Sequence, residues 1–399
     1  MIAILLLLVF MVASTMAECN EPTTTISTSA GATGLSKCRH FQGSVQIVDD
    51  VDNNQIGYEG PRDTLDLETI GGDLILENAL SLRALTGDKL KRIGGTLRLH
   101  NATKLSTLEF PQLTDVGSID WLALPFLAGF TFSNNNVSIG KNGYISINNT
   151  FLALVDKFNY TSVRDVVVAH NNQRLDHLDM PLINVTGGIV IENNYNPRVS
   201  LPNTEHAGNL TVGNVLSFEV PSLTAVTGSV LFNGNQFASI YAPAMATVSE
   251  GLTFINNGEL SNLSFPALTS VGSQFTMGNN TKLQLIKFPN LTSIGGDVDI
   301  RGSFTVFDLP KLDSVKGSFT LSSTNDISDS CDRLKHLAPV SQCGSGQIEG
   351  TFTCLSGNSN TSPDYCAQAN DTGNSGGRVH VEPAVGRLAF LAFLTRLLL

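Results

Sequence analysis

Three groups of closely spaced carboxylates are the residues of this chain best suited to hydrolytic chemistry. They are Asp49-Asp50-Val51-Asp52, Asp176-His177-Leu178-Asp179 and Asp297-Val298-Asp299. Glycoside hydrolysis needs two carboxyl groups that converge on one bond. The first group is typical of a solvated turn, the second of a bend before a proline, and the third has no basic or histidine partner in the following repeats. We therefore predict structural roles for all three groups and no enzymatic activity.

Other catalytic signatures are missing from the sequence. There is no Gly-x-Ser-x-Gly, no His-Glu-x-x-His and no phosphate-binding glycine loop. The 7 histidines do not recur at a common repeat position, and the cysteines lack the CxxC spacing of zinc sites. We expect no cofactor and no metal.

The elements that position these residues come from a repeat of about 23 residues. Its marker is an apolar residue before a glycine-rich corner, as in Ile70-Gly-Gly, Ile93-Gly-Gly and Ile294-Gly-Gly. Between residues 40 and 325 the marker defines about 13 rungs. A fixed period of this length is the signature of a solenoid. The strands are too close in sequence for helical crossovers, so we predict an all-β, right-handed parallel β-solenoid of the leucine-rich type.

Apolar residues alternate after each glycine corner, as in Leu74 and Leu76 or Leu252 and Phe254. We expect these to face inward and the residue between them to face outward. A Phe-Pro pair, such as Phe110-Pro111, is expected to bend the chain before the next marker. An asparagine two residues after each strand is expected to face inward and bond neighbouring rungs. The asparagines of this column are Asn78, Asn101, Asn149, Asn193, Asn214, Asn256 and Asn279.

The outward column is the best place in the chain to look for a ligand face. Its later part is polar and regularly spaced, and the candidate ligand face is Thr253, Thr276, Asp299 and Thr320. Its earlier part is interrupted by apolar side chains, namely Ile75, Val167, Val190 and Leu231. The interpretation that we favour is that threonine and valine on a solvent-facing strand reflect β-propensity alone.

The two ends of the chain carry targeting signals. Residues 1–17 have the short apolar run and small-residue cleavage site of a signal peptide. Residues 378–399 end in an apolar tail after a small, polar segment, which is the order of a GPI-anchor signal. We predict attachment at Asn374, with Ser375 as the alternative. Residues 356–377, rich in Ser, Thr, Asn and Gly, are expected to form a stalk.

The 6 cysteines lie outside the repeat, where an open solenoid needs caps. In a secreted chain they indicate disulfides. Cys19 and Cys38 form the natural amino-terminal pair, whereas Cys331, Cys343, Cys354 and Cys366 allow three pairings that the sequence does not resolve. We therefore place the solenoid and its caps at residues 18–355, and the stretched rung at 123–160 allows a division into two lobes.

Eleven Asn-x-Ser/Thr sequons indicate a glycosylated extracellular protein. We predict modification at Asn136, Asn148, Asn159, Asn184, Asn209, Asn262, Asn290, Asn360 and Asn370. Asn101 and Asn279 belong to the asparagine column expected inside, so we predict the least modification there. The net charge of −11, without any Lys/Arg cluster, argues against nucleic acid as a partner.

Several of these motifs together resemble the fungal extracellular-mutant family. They are the Cys19/Cys38 cap, the Ile-Gly-Gly-x-Leu rungs, the Phe-Pro-x-Leu-Thr-x-Val bends, Ile119-Asp-Trp121-x-x-Leu124-Pro125 and the GPI-type tail. The resemblance covers about residues 19–355. It implies a receptor L-domain-like solenoid without established catalytic activity, held at the plasma membrane and cell wall by a lipid anchor.

The resemblance thus implies a non-catalytic glycoprotein that contributes to cell wall organisation. The alternative is a receptor-like or carbohydrate-binding module that recognises a wall glycan or protein. Expected partners are wall polysaccharide (glucan, chitin or mannan) or wall proteins, with membrane contact through the anchor only. Polysaccharide binding by the ectodomain, lost on changing Thr253, Thr276 or Asp299, would favour the alternative.

Overall fold

The computed structural model describes residues 19–27, 35, 37–48, 65, 67–133, 137–155, 158–159 and 162–357. The chain divides into two units, residues 1–363 and 364–399, and every described residue belongs to the first. Several predicted features lie outside the described residues. They are the signal peptide, the anchor signal, the stalk except for residues 356–357, the carboxylates at 49–52, Asn136, Asn360, Asn370 and Cys366.

The described part of the chain is built almost entirely from short parallel strands. In chain order these are Thr23–Ile26 (β1), His40–Phe41 (β2), Ser44–Ile47 (β3), Thr69–Ile70 (β4), Leu74–Glu77 (β5), Ala84–Thr86 (β6), Arg92–His100 (β7), Thr107–Glu109 (β8), Asp115–Leu124 (β9), Val137–Ile139 (β10), Tyr144–Thr150 (β11), Phe158–Asn159 (β12), Ser162–Val163 (β13), Asp165–Ala169 (β14), His177–Asp179 (β15), Asn184–Glu192 (β16), Arg198–Ser200 (β17), His206–Gly213 (β18), Ser217–Glu219 (β19), Ala225–Val226 (β20), Val230–Asn233 (β21), Ser239–Tyr241 (β22), Thr247–Val248 (β23), Leu252–Ile255 (β24), Asn262–Ser264 (β25), Ser270–Val271 (β26), Phe275–Gly278 (β27), Leu285–Lys287 (β28), Ser293–Ile294 (β29), Val298–Gly302 (β30), Val306–Asp308 (β31), Ser314–Val315 (β32), Phe319–Ser323 (β33) and Phe352–Ser356 (β34).

These strands coil into a parallel β-solenoid of about 12 turns, which confirms the predicted fold class. A typical rung has a two-residue strand ending at the marker, a longer strand after the glycine corner, and a third strand after the asparagine corner, as in β26, β27 and β28. In β7, β9, β16 and β18 the first two strands are continuous. Pairing also runs without a break through the stretched rung, because β11 pairs with both β9 and β14.

Glycine forms the corner because neighbouring rungs approach closely there. A Cβ placed on Gly71 would lie 2.2 Å from the carbonyl oxygen of Gln42, and one on Gly295 would lie 2.0 Å from that of Gly272. Both distances are far inside van der Waals contact, so a side chain would push the rungs apart. The inward-facing predictions hold: Leu74, Leu76, Leu252 and Phe254 are fully buried.

The predicted proline bend is a tight turn. Phe110 is buried, and the backbone N–H of Leu113 donates to its carbonyl oxygen at 2.9 Å. The same turn recurs at Phe288, which accepts from Leu291 at 3.3 Å. Proline at the second position of such a turn presets φ and needs no donor.

The predicted inward asparagine column is wrong by one residue. Asn78, Asn101, Asn193, Asn256 and Asn279 are exposed, and all have φ between 52° and 59°. Asparagine tolerates this left-handed conformation, which turns the chain so that the next side chain points inward. The inward column at this corner is therefore the following residue in each rung, which is Ala79, Ala102, Leu124, Thr150, Asn172, Asn194, Val215, Asn235, Asn257 and Asn280.

Buried asparagines in this second column form the cross-rung bonds expected of the first. Asn257 accepts from the backbone N–H of Asn235 at 3.1 Å and from its Nδ2 at 2.9 Å. Its own Nδ2 donates to Asn280 Oδ1 at 3.1 Å and to the carbonyl oxygen of Phe232 at 3.0 Å. The exposed column has a ladder of its own, in which Asn279 Nδ2 donates to Asn256 Oδ1 at 3.0 Å. Burial thus gives no reason for low glycosylation of Asn101 or Asn279.

Disulfides close both ends of the repeat. Cys19 is bonded to Cys38, and Cys331 of the α-helix Ser328–Leu334 is bonded to Cys354 in β34. Cys343, which follows the 3-10 helix Val340–Gln342, is also disulfide-bonded. At the edge of β34, Gln342 Oε1 accepts from the backbone N–H of Phe352 at 2.8 Å and its Nε2 donates to the Phe352 carbonyl at 3.2 Å. The glutamine amide thus makes the bonds that a further rung would make.

Candidate functional site

The longer strands of successive rungs form one continuous sheet, and we call its solvent side the front face. One half-buried side chain per rung forms its central column. In register these are Gln46, Ile75, Arg98, Asp120, Ser146, Val167, Val190, Thr211, Leu231, Thr253, Thr276, Asp299, Thr320 and Thr353. Parallel strands lie about 4.8 Å apart, so the column is a ladder of evenly spaced groups.

The four residues of the predicted ligand face are direct neighbours in this column. Thr253 pairs with Thr276, Thr276 with Asp299, and Asp299 with Thr320. The Asp299 carboxylate is not free, since Arg301 Nε lies 2.7 Å from its Oδ1 on the same strand. The register is therefore as the repeat predicts, but Asp299 is one half of an exposed ion pair.

A second polar region on the front face was not predicted. We call Glu77, Arg98, His100 and Asp120 the charged patch. Arg98 Nε lies 3.2 Å from Asp120 Oδ2, and Arg98 Nη1 lies 3.8 Å from Glu77 Oε1. His100 Nε2 lies 3.0 Å from Asp120 Oδ1, off the direction of a well-formed hydrogen bond. The sequence signal was opposite charge at equivalent positions of successive rungs.

The charged patch is largely neutralised within itself. Burial raises the pKa of the Asp120 carboxyl, but contact with His100 and the positive charges of His100 and Arg98 outweigh it, so the pKa lies below its usual value. Arg98 also contacts the hydroxyl of Tyr144, and the Arg164 guanidinium lies 5.2 Å from the centre of the Tyr144 ring. These contacts tie neighbouring rungs together, as expected of a structural network.

Further along the front face lies a region without charge, which we call the neutral patch. It covers β18, β21, β24 and β27 and the residue before each of the last three. Its central residues are Thr211, Leu231, Thr253 and Thr276, flanked on one side by Asn209, Ser229, Gly251 and Gln274 and on the other by Gly213, Asn233, Ile255 and Gly278. Residues 199–281 contain no Lys, Arg or Asp.

Charged groups surround the neutral patch without entering it. At one border Glu250 accepts from Ser229 Oγ at 2.8 Å. At the next rung beyond Thr276 the pair Asp299–Arg301 begins, and Glu192 ends the strand on the opposite side. The patch therefore offers hydroxyl, amide and aliphatic groups only.

The carboxylate groups tested for catalysis have other partners. Asp176 contacts His177 Nδ1 at 2.8 Å and Arg198 Nη1 at 2.9 Å, and all three are well exposed. Asp297 Oδ1 accepts from the backbone N–H of Ser318 at 2.7 Å, which closes a corner between rungs. Asp179, the other carboxylate of the second group, is exposed, and Asp299 of the third group is paired with Arg301. Among the described residues there is no cluster able to hold a metal ion.

The described sequons fall on several sides of the solenoid. Asn209 and Asn262 are exposed, whereas Asn148, Asn184 and Asn290 are half-buried. Both ends of the Asn148 amide are used, since its Nδ2 donates to Ser146 Oγ and its Oδ1 accepts from the Ala169 N–H, each at 3.0 Å. The predicted modification sites stay predictions.

The helices in the described part of the chain are short, and none is long or apolar enough to cross a bilayer. The solenoid instead presents a long ordered face between two disulfide-closed ends. A repeat of this kind builds extended binding or scaffolding surfaces.

Proteins with a similar sequence are found among fungal cell-wall proteins. The chain is 32% identical to the protein ecm33 of Aspergillus fumigatus over 336 residues, which cover 84% of this chain and 80% of the relative. It is 30% identical to the cell surface GPI-anchored protein ECM33 of Candida albicans over 340 residues, covering 84% and 78%. It is also 32% identical to the cell wall mannoprotein PST1 of Saccharomyces cerevisiae over 299 residues, covering 74% and 65%.

The chain therefore belongs to the ecm33 family of cell-wall proteins. The names of these relatives confirm the predicted location at the cell surface and in the wall by way of a GPI anchor. They also confirm the resemblance inferred from the sequence motifs. The relatives are named as cell-wall proteins and mannoproteins and not as enzymes. No protein-family model and no solved structure matches the chain.

Proposed function

We propose that this chain is a non-catalytic cell-wall protein whose front face holds wall components in order. The observation that carries this is the central column of the front face, which continues in register through every rung from Gln46 to Thr353. A ladder of this kind suits an extended partner better than a small substrate, because successive rungs present side chains at a fixed spacing along one face.

The absence of catalysis is part of this proposal. Two of the three carboxylate groups lie among the described residues, where Asp176 contacts Arg198, Asp299 contacts Arg301 and Asp297 accepts from the Ser318 backbone. Acid–base catalysis needs a carboxyl whose pKa is raised toward neutrality. Asp120, a half-buried carboxylate of the front face, has a pKa shifted the other way.

The partners we propose are wall polysaccharide (glucan, chitin or mannan) or wall proteins, with the membrane reached through the lipid anchor only. Among these we favour polysaccharide, because the neutral patch offers hydroxyl and amide groups without charge. A receptor-like or carbohydrate-binding module is the alternative, in which the same face selects one ligand. Asn374 or Ser375 is proposed as the anchor attachment residue.

The role in wall order is tested by deleting the gene in its own host and growing the cells with wall-perturbing dyes. We expect hypersensitivity, restored by the full chain and only partly by a chain that stops before residue 374. Normal growth of the deletion strain under wall stress would refute the role. Treatment of intact cells with phosphatidylinositol-specific phospholipase or glucanase tests the anchor, and we expect one of them to release the protein.

A further inference from the structure

Among the described rungs of the front face, the neutral patch is a run of four consecutive rungs whose outward side chains carry no charge. In the charged patch, by contrast, Arg98 Nε is bonded to Asp120 Oδ2, and His100 Nε2 lies 3.0 Å from Asp120 Oδ1. In the neutral patch the side chains of Thr211, Thr253 and Thr276 carry a hydroxyl and a methyl group each. These are free to face a partner that is itself uncharged but rich in hydroxyls.

The flanking residues match the same chemistry. Gln274 is an exposed amide, able to donate and accept at once. The exposed Asn233 presents its Nδ2 donor, because its Oδ1 accepts from Asn256 Nδ2 at 3.0 Å. Leu231 and Ile255 are half-buried aliphatic side chains between the threonines, and Leu216 nearby in the chain is 39% exposed. A sugar ring likewise combines polar and apolar groups, with hydroxyls at its rim and C–H groups on its faces.

The spacing of the ladder adds a geometric constraint. Rungs in a parallel sheet are about 4.8 Å apart, close to the length of one hexose unit in an extended β-linked chain. A polymer lying along the ladder would place one sugar opposite each of Thr211, Leu231, Thr253 and Thr276. An anionic polymer would find no counter-charge in this stretch, because residues 199–281 hold four Glu and no Lys or Arg.

We propose that the neutral patch binds an uncharged, linear β-linked polysaccharide along the solenoid axis, one sugar to a rung. This rests on the proposed wall function and names its ligand chemistry. It also narrows the predicted ligand face, because Thr253 and Thr276 lie inside the patch whereas Asp299 and Thr320 lie beyond its border. Affinity should come from hydroxyl hydrogen bonds and C–H contact, so it should be insensitive to salt.

The test uses the full-length glycosylated protein, purified from membranes in detergent. The probes are the hexasaccharides of linear β-1,3-glucan and of chitin, with oligogalacturonate as an anionic chain of similar length, each titrated by calorimetry at low and high salt. We expect one neutral hexasaccharide to bind and oligogalacturonate not to bind. Comparing the β-1,3-glucan hexasaccharide with the chitin hexasaccharide shows which of these two wall polymers is the ligand.

The double variant Thr253→Val and Thr276→Val removes two hydroxyls and keeps the shape and β-propensity of the side chains. Loss of two hydrogen bonds of ordinary strength should weaken binding about tenfold or more. Thr276→Lys, which places a charge in the neutral patch, should abolish binding of the hexasaccharide. The matched control is Thr247→Val, which changes a half-buried threonine of the same rung in β23, off the front face. A second control, Arg98→Gln, changes the charged patch.

Unchanged affinity in the double valine variant, with an unchanged melting temperature, would overturn the assignment. So would loss of binding in Arg98→Gln, preference for oligogalacturonate, or no binding of either neutral probe. These outcomes leave the wall function itself standing, because that is judged by the growth of the deletion strain under wall stress.

Discussion

The charged patch and the neutral patch are built from the same repeat but place their polar bonds on opposite sides of the sheet. Behind the charged patch the inward corner residues are apolar, namely Ala79, Ala102 and Leu124. There the cross-rung polar contacts lie outside, between Arg98 and Asp120. Behind the neutral patch the cross-rung bonds lie inside, in the ladder Asn235, Asn257 and Asn280.

This difference shows how a solenoid can free one stretch of its surface for a partner. Every rung needs a specific link to the next, because parallel backbone pairing alone does not prevent slippage in register. Where the link is internal, the side chains of the central column are not needed to connect the rungs, although the flanking Asn209 and Asn233 still bond their neighbours. The stability of the charged patch and of the neutral patch should therefore respond to different substitutions.

The largest effect should come from Asn257→Ala, inside the neutral region. It removes the acceptor for the backbone N–H of Asn235 and for one of its two Nδ2 hydrogens, which are left buried without a partner, while the other Nδ2 hydrogen keeps its bond to the Val212 carbonyl oxygen. Buried unsatisfied donors cost about 1–3 kcal/mol each, so we expect a loss of about 3 kcal/mol in the free energy of unfolding. Urea denaturation followed by circular dichroism measures it, with the exposed Gln236→Ala as control. A loss no greater than that of Gln236→Ala would contradict the internal link.

A smaller effect is expected from Asp120→Asn in the charged patch. It keeps the side-chain shape but removes the charge that faces Arg98 and His100, at the cost of about 1 kcal/mol for a partly exposed pair. The control is Asp313→Asn, at an exposed aspartate. High salt should narrow the difference between wild type and Asp120→Asn, because part of the interaction is screened. An equal loss in both variants would show that the charged patch does not link its rungs.

Acid should destabilise the charged patch and the carboxy-terminal cap, each of which holds an aspartate with a lowered pKa, but not the neutral patch. The pKa of Asp326, beside the carboxy-terminal cap, is lowered to about 2 by hydrogen bonds from the Ser328 backbone, the Ser328 hydroxyl and the Ser356 hydroxyl. That of Asp120 is also lowered. A lowered folded-state pKa gives stability that is complete above the unfolded value near 3.8 and is lost as the pH falls toward 2.

We therefore expect the free energy of unfolding to fall between about pH 4 and pH 2. Each of Asp326→Asn and Asp120→Asn should flatten this dependence, whereas Thr253→Val and Asp313→Asn should leave it as in wild type. Denaturation curves at half-unit pH steps measure the slope. An unaltered slope in both aspartate variants would place the acid sensitivity elsewhere.

The smallest effect should come from Thr253→Val and Thr276→Val. Neither hydroxyl lies in the interior ladder, and valine suits a strand as well as threonine does. The free energy of unfolding should change by less than about 0.5 kcal/mol. A loss above 1 kcal/mol would mean that the neutral patch carries structural bonds of its own and is not reserved for a partner.

Most of the fold could be predicted because the repeat fixes both the period and the side of each strand residue. The neighbour relations of Thr253, Thr276, Asp299 and Thr320 follow from the spacing alone. The direction of the asparagine column could not be predicted so simply, since it depends on a backbone angle. One residue with positive φ, such as Asn256, moves the inward position to Asn257. The doubled asparagines at 256–257 and 279–280 were the available signal.

The charged patch was missed for a different reason. Arg98 and Asp120 are 22 residues apart, and neither is unusual in its own rung. Only the pairing of β7 with β9 places them side by side, and the glycine corner between Ile93 and Thr96 shifts the register by one residue. An interaction of this kind becomes visible only when rungs are aligned by their strands and not by their markers.

Gln342 has a consequence for the behaviour of the protein on a crowded surface. A terminal strand with open N–H and C=O groups is a template for another strand. Because one side-chain amide occupies those groups at Phe352, the carboxy-terminal edge cannot seed head-to-tail fibres at that point. Neighbouring molecules in a dense wall can thus remain separate units, each with its front face available.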